Sequence, residues 1–201
     1  MGEIKIMKKP AWISWEDVQS CLYLAQQTNV KKGFDMLFGH YSATEIEQKV
    51  GDGECFVALN ENNEVVGTCS YKIASIKRWW CKGKAAYLCL AGILPEYQGQ
   101  GIYSLLCKER EKYIFENKNV DTIWFNTADK NLTVQKKFSK EGFKKVQFSP
   151  SGEGANYYSV IMAKWPRKKI CPRVLISFMY LLSIVVVKLL YKPGKINRFS
   201  F

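Results

Sequence analysis

The stretch AGILPEYQGQGIYSLLCKERE, residues 91–111, decides how this chain is read. An apolar run ends at Leu94-Pro95, a tight segment follows with glycines at 99 and 101, and from Gly101 to about Glu116 apolar residues recur at helical spacing through Ile102, Leu105, Leu106, Tyr113 and Ile114. A strand, a turn and a helix therefore follow one another directly. The first N–H groups of such a helix have no partner inside it, and the helix dipole adds about half a positive charge there. Glycine removes the side chain that would block an approaching group, so a pyrophosphate fits the turn. On glycine spacing alone, an ordinary strand–turn–helix junction is an equal reading. The segment lacks the Lys-Ser/Thr of a P-loop and the third glycine of a dinucleotide fingerprint.

Outward from this segment the chain alternates strands and helices. KAAYLCLAGIL, 84–94, is a strand run that becomes apolar on both faces, as a central strand does. Gly92 within it marks a bulge or a close backbone approach. Upstream, residues 4–8 form a short first strand, and Ser14 caps a helix that carries Glu16 and Asp17 in its first turn and Val18, Leu22 and Leu24 or Ala25 on one stripe. Ser42 and Glu45 have the reciprocal capping-box spacing, and Gly51 closes that helix. ECFVALN and EVVGTCSYKIAS flank Glu61-Asn62-Asn63 as a hairpin. Downstream come the strand DTIWFNT (121–127), a short helix from Asn131 to Glu141 ended by Gly142, and FKKVQFS with NYYSVIMAKW as a final antiparallel pair. The order predicts mixed α/β structure around one sheet.

Two separated segments resemble one family. Gln98-Gly99-Gln100-Gly101-Ile102-Tyr103 is similar to the Gln/Arg-x-x-Gly-x-Gly/Ala signature of the GCN5-related N-acetyltransferase superfamily (GNAT), placed after an apolar strand and before a helix as in that family. Asn131-Leu-Thr-Val134-Gln-Lys-Lys-Phe138-Ser-Lys-Glu-Gly142-Phe143 resembles its Asn-x-x-Ala-x-x-x-Tyr-x-x-x-Gly-Phe helix. The likeness covers roughly residues 12 to 165. It implies the acyl-CoA N-acyltransferase fold, a mixed central sheet flanked by helices, and acetyl-CoA or another acyl-CoA as donor to an amine. It also implies a set of site residues. The pantetheine arm would lie along strand 84–94, against the backbone of Ile93 and Leu94. The pyrophosphate would take Gln98, Gly99, Gln100, Gly101, Ile102 and Tyr103, and Asn131 would face the cofactor from the second motif. The Ala91 N–H would polarise the thioester carbonyl, consistent with the need for a fixed donor where attack builds negative oxygen.

The chain departs from the family pattern at the proton-transfer positions. Phe138 stands where the family helix often carries a tyrosine, and Tyr87 stands where some members place a glutamate base. Phenylalanine cannot transfer a proton, so substrate positioning and a water relay would carry more of the rate. Tyr87 is retained as a catalytic candidate. Tyr87 and Cys89 share one strand face, as a site or as core packing. Cys89 as a nucleophile would need a depressed pKa and a base. Trp79-Trp80 reads as a substrate-facing or membrane-facing loop or as a packing cluster, and Tyr157 and Tyr158 as acceptor-lining or structural. Tyr103, in place of the signature's last small residue, requires a side chain that leaves the phosphate path. The alternative class is a non-catalytic acyl-CoA-binding module.

Seven cysteines without a Cys-x-x-Cys pair, and His40 as the only histidine, leave no metal signature and fit a reducing cytosol. No continuous apolar run opens the chain as a secretory signal does. The net charge of +12 is uneven. Residues 1–166, the expected acetyltransferase domain, hold 22 Lys/Arg and 18 Asp/Glu, whereas residues 167–201 hold eight Lys/Arg and no acid. A basic excess confined to an apolar segment argues against a nucleic-acid partner. Within that tail, VLISFMYLLSIVVV is uncharged and spans about 21 Å as a helix, short of a ~30 Å hydrocarbon core. The readings left open are a membrane-associated helix peripheral on the inner membrane face, a span extended to Tyr191 with Lys188 snorkelling, and a helix that docks on its own domain or forms a homodimer. A small-molecule, glycan or lipid-linked amine is the expected acceptor.

Overall fold

In the computed structural model, which describes residues 2–31, 40–151, 157–166 and 173–191, the chain runs through thirteen elements. These are β1 (Lys5–Lys8), α1 (Trp15–Lys31), α2 (Ala43–Val50), β2 (Glu54–Leu59), β3 (Val65–Arg78), β4 (Cys81–Ile93), a 3-10 turn (Pro95–Tyr97), α3 (Ile102–Asn117), β5 (Thr122–Ala128), α4 (Leu132–Lys140), β6 (Lys144–Pro150), β7 (Tyr158–Lys164) and α5 (Arg173–Leu190). The seven strands are ordered β1-β2-β3-β4-β5-β7-β6 in one mixed sheet. The expected final pair is present as antiparallel β6 and β7. β7 also pairs with β5, so the last strand in sequence lies inside the sheet and β6 at its edge.

Helix starts follow local chemistry. The Asp17 N–H donates to the Ser14 hydroxyl at 3.1 Å and the Ser14 N–H to the Asp17 carboxylate at 3.0 Å, a reciprocal cap on α1. Ser42 and Glu45 repeat the arrangement on α2 at 3.3 and 2.8 Å.

The chain divides into two units. The first comprises residues 1–74 and 86–120. Alternation along β2 sorts its core: Cys55, Val57 and Leu59 join Val18 and Leu22 of α1, Ile46 and Val50 of α2, and Leu90 of β4. Phe56 turns the other way, its ring 5.5 Å from that of Tyr113 on α3. This unit's part of the sheet is thus sandwiched between α1 with α2 on one face and α3 on the other.

The second unit comprises residues 75–85 and 121–201. It begins with the far end of the β3–β4 hairpin, whose strands are longer than the sequence runs suggested and meet at Trp79-Trp80. Trp80 is buried, with its ring 5.6 Å from Trp124 and its indole N–H donating to Gln147 at 3.3 Å. Of the two readings for this pair, packing is the one observed. The α5 helix covers edge strand β6, and the Ser183 hydroxyl accepts the Phe148 N–H at 2.8 Å. Ile176, Tyr180, Ser183 and Val187 recur at helical spacing on the covered stripe. One tail reading, docking on its own domain, therefore holds for that face. The opposite face leaves nine large apolar side chains from Val174 to Leu190 between 43% and 83% exposed. Among the described residues no helix is long and apolar enough to cross a membrane. The flanking Arg167, Lys168, Lys169, Lys192, Lys195 and Arg198 lie outside the described residues.

Candidate functional site

β4 ends at Ile93, the 3-10 turn follows, and Gly99 and Gly101 adopt φ of 79° and 81° before α3 begins. Positive φ at both positions explains the glycines directly. A Cβ built on either would meet nothing within 4 Å, so the space above the loop is open. Gly101 is the N-cap of α3, no side chain caps the helix, and its first turn holds no acid. Several main-chain groups of the loop are spent locally. The Tyr97 N–H donates to the Leu94 carbonyl at 3.0 Å, the Gln98 N–H to Pro95 at 3.2 Å, and the Ser104 and Leu105 N–H groups to Gly101 at 2.9 and 3.2 Å. Among the described residues, the N–H groups of Gly99, Gln100, Gly101 and Ile102 face no protein acceptor. Four consecutive main-chain donors at a helix start are thus left for an anion.

The two glutamines brace this loop. Gln98 Nε2 donates to the Ile93 carbonyl at 3.1 Å and Gln100 Nε2 to the Glu96 carbonyl at 3.0 Å. Leu94 gives its N–H to the Val66 carbonyl at 3.0 Å, so both of its main-chain groups are engaged. Tyr103 resolves the departure from the signature: it is half-buried with its hydroxyl end enclosed in the core beneath α3, and burial first, then the neighbouring Cys107, holds the phenol far above its ordinary pKa.

Arg110 lies in that same core and is 1% exposed. Its guanidinium donates to the Ser70 carbonyl at 3.1 Å and to Cys107 Sγ at 3.7 Å, tying α3 to β3. It is a fixed positive charge about 12 Å along the helix from Ile102. The sequence reading missed it, although it falls four residues after Leu106 and four before Ile114 on the buried stripe.

β4 carries a second irregularity. Leu90 is buried with φ 49°, a left-handed conformation rare for a branched side chain. Cys89 and Leu90, consecutive residues, both pack on the α1–α2 core, which breaks the strand's alternation next to Ala91. Gly92 has the other role expected of it: a Cβ there would stand 2.8 Å from Ala25 Cβ, so α1 approaches the bare backbone. Burial pushes the Cys89 thiol up to about 12 and the Tyr87 phenol well above its usual range. Burial thus favours the protonated form of both groups near neutrality.

The remaining candidates are placed as follows. Asn131 is the N-cap of α4 in the second unit, its Oδ1 accepting the Val134 N–H at 3.2 Å. Phe138 is buried with its ring 4.4 Å from Phe125 and 5.2 Å from Phe143. The Tyr158 hydroxyl donates to the Tyr191 carbonyl at 2.8 Å, a structural role. Among the described residues no group of three or more His, Cys, Asp or Glu could hold a metal ion.

Comparison with known proteins follows this geometry. The model described as "Acetyltransferase (GNAT) family" matches residues 16–143. No curated protein matches the chain. Among solved structures, a GNAT-family acetyltransferase from Staphylococcus aureus Mu50 is similar with TM-score 0.60 and 17% identity, over 81% of this chain and 99% of that one. Arabidopsis thaliana NAA60 in complex with acetyl-CoA gives 0.60 and 17% over 81% and 98%. A GNAT-family acetyltransferase from Streptococcus pneumoniae gives 0.60 and 16% over 82% and 100%. At these identities the structural likeness shows the fold.

Proposed function

The chain belongs to the acetyltransferase (GNAT) family, and from that membership we propose that it moves an acetyl group from acetyl-CoA to an amine acceptor by direct attack in a ternary complex. The observation that carries this reading is the row of amides at Gly99, Gln100, Gly101 and Ile102 with no acceptor of their own. A pyrophosphate would meet those donors and the positive end of α3 together. Acetyl-CoA supplies the activated acyl group as a thioester. The Ala91 N–H, beside the irregularity at Leu90, would stabilise the negative oxygen that forms on attack. Ile93 would pair with the pantetheine arm by its main chain. Tyr87 keeps its proton and would donate a hydrogen bond, while water removes the proton from the incoming amine.

Calorimetry tests this loop. Wild-type protein should bind acetyl-CoA, and Gly101→Asp should abolish binding, because it adds a negative charge at a φ of 81° and beside the phosphates. Unchanged affinity would locate the cofactor elsewhere. Release of CoA across a panel of amines then identifies acceptors.

The tail extends the proposal to peripheral association with the inner membrane face, where a glycan or lipid-linked amine would be presented. The outward apolar face of α5 and the eight Lys/Arg without an acid in residues 167–201 support it, since each basic residue near an anionic bilayer contributes about 1 kcal/mol. Full-length protein should sediment with anionic vesicles, and Leu181→Asp with Val185→Asp should release it. Equal sedimentation of both proteins would end this part of the reading.

A further inference from the structure

An open cleft of about 390 Å³ lies in the first unit, lined by residues of α2, the turn after it and β3 that include Glu45, Lys49, Asp52 and Lys72. Its two lysines are held by aromatic rings. Lys49 Nζ is 4.0 Å from the centroid of the Tyr41 ring, and Lys72 Nζ is 5.7 Å from that of Tyr87. Cation–π contact orients an ammonium without neutralising it. Among the described residues neither ammonium has a carboxylate within 4.0 Å. The lining also carries two carboxylates: Glu45, whose Oε2 accepts from the Ser42 N–H and hydroxyl at 2.8 and 3.0 Å and which feels the Lys49 charge, and Asp52 in the turn after α2. Both lysines line this one cleft, and Tyr41 and Cys89 pack on the same core cluster. Tyr87 lies on β4 four residues before Ala91.

We propose that Lys49 and Lys72, steadied by Tyr41 and Tyr87, bind an anionic group of the acceptor, a carboxylate or a phosphate, at a distance from the amine that is acetylated. This rests on the acetyl-transfer reading and assigns its substrate class. Among the described residues neither ammonium is closed off by a salt bridge, so each keeps N–H donors for an anion that enters the cleft. The same pair repels a polyamine, whose second ammonium would occupy the place of the anion.

The test uses eight-carbon compounds that share one terminal amine: the ω-amino carboxylate, ω-amino phosphate, amino alcohol and diamine. Each is titrated by calorimetry into the full-length protein, alone and saturated with CoA. The carboxylate or phosphate should bind about tenfold more tightly than the alcohol, and the diamine more weakly than the alcohol. Lys49→Met with Lys72→Met should erase the difference, while Lys49→Arg with Lys72→Arg should keep it and acetyl-CoA affinity stays unchanged in both. The ratio of carboxylate to phosphate affinity identifies the anion. Equal binding of all four compounds, preference for the diamine, no binding by any of them, or a preference that survives the methionine pair overturns the proposal. Failure of wild-type protein to bind CoA sinks the acetyl-transfer reading instead, and the titrations without CoA then still judge the lysine pair.

Discussion

Leu90 is held at φ 49° with 1% of its surface exposed, a conformation that costs a branched residue on the order of 1–2 kcal/mol. Its burial among Val18, Leu22 and Ile46 outweighs that cost. The result is a strand whose alternation breaks beside Ala91, a position that amino-acid identities do not reveal, because nothing about leucine announces a positive φ. The neighbouring titratable groups lead to two expectations. Cys89→Ala should retain turnover within about twofold, and iodoacetamide at a pH of about 8 should leave the wild type active, because a thiol raised to about 12 is almost wholly protonated there. Tyr87 is shifted upward too, so the phenol stays protonated through neutral and mildly alkaline pH. Tyr87→Phe should lower kcat about tenfold without moving any limb of a pH–rate profile, as steady-state kinetics between pH of about 6 and 9.5 would record. Arg110 was legible only as a charge within an apolar stripe; that its partners are a carbonyl and a thiol is a fact of packing.

Helix α2 shows how much an element owes to its own sequence. Its capping box was readable from Ser42 and Glu45, and Ser42 holds the Glu45 carboxyl below its usual range. A lowered folded-state pKa contributes stability above the unfolded value of about 4.3, and that contribution disappears as pH falls through the folded value. Thermal unfolding should therefore separate wild type from Glu45→Gln at neutral pH and bring the two together in acid, once Glu45 is protonated in the folded state. Strand β4 and helix α1 are the contrasting case. Gly92 suggested a bulge or a close approach, and only the docked helix, with Ala25 Cβ 2.8 Å from a Cβ at 92, separates these. Gly92→Val should destabilise by about 1–3 kcal/mol in urea titrations, because two packed backbones cannot both give way.

At the scale of the whole molecule, α5 has one face on β6 and one face bare. Ile176→Asp, on the covered stripe at 4% exposure, should cost more than about 3 kcal/mol by burying an unpaired charge. Leu181→Asp, at 61% exposure, should change thermal stability by less than about 0.5 kcal/mol. The uncharged, mostly apolar run from Val174 to Val187 concealed this division, since Ser177 and Ser183 are its sole strongly polar positions and they mark no helical face. The sequence by itself determined the elements, their caps, the glycine turn before α3 and the family, because these depend on residues within a few positions of one another. Tertiary structure alone decided that β7 lies between β5 and β6, that Arg110 of α3 meets the Ser70 carbonyl of β3, and that Lys49 and Lys72 share a cleft. Each of these depends on contacts between segments distant along the chain, and such contacts are chosen by the packing of many side chains at once.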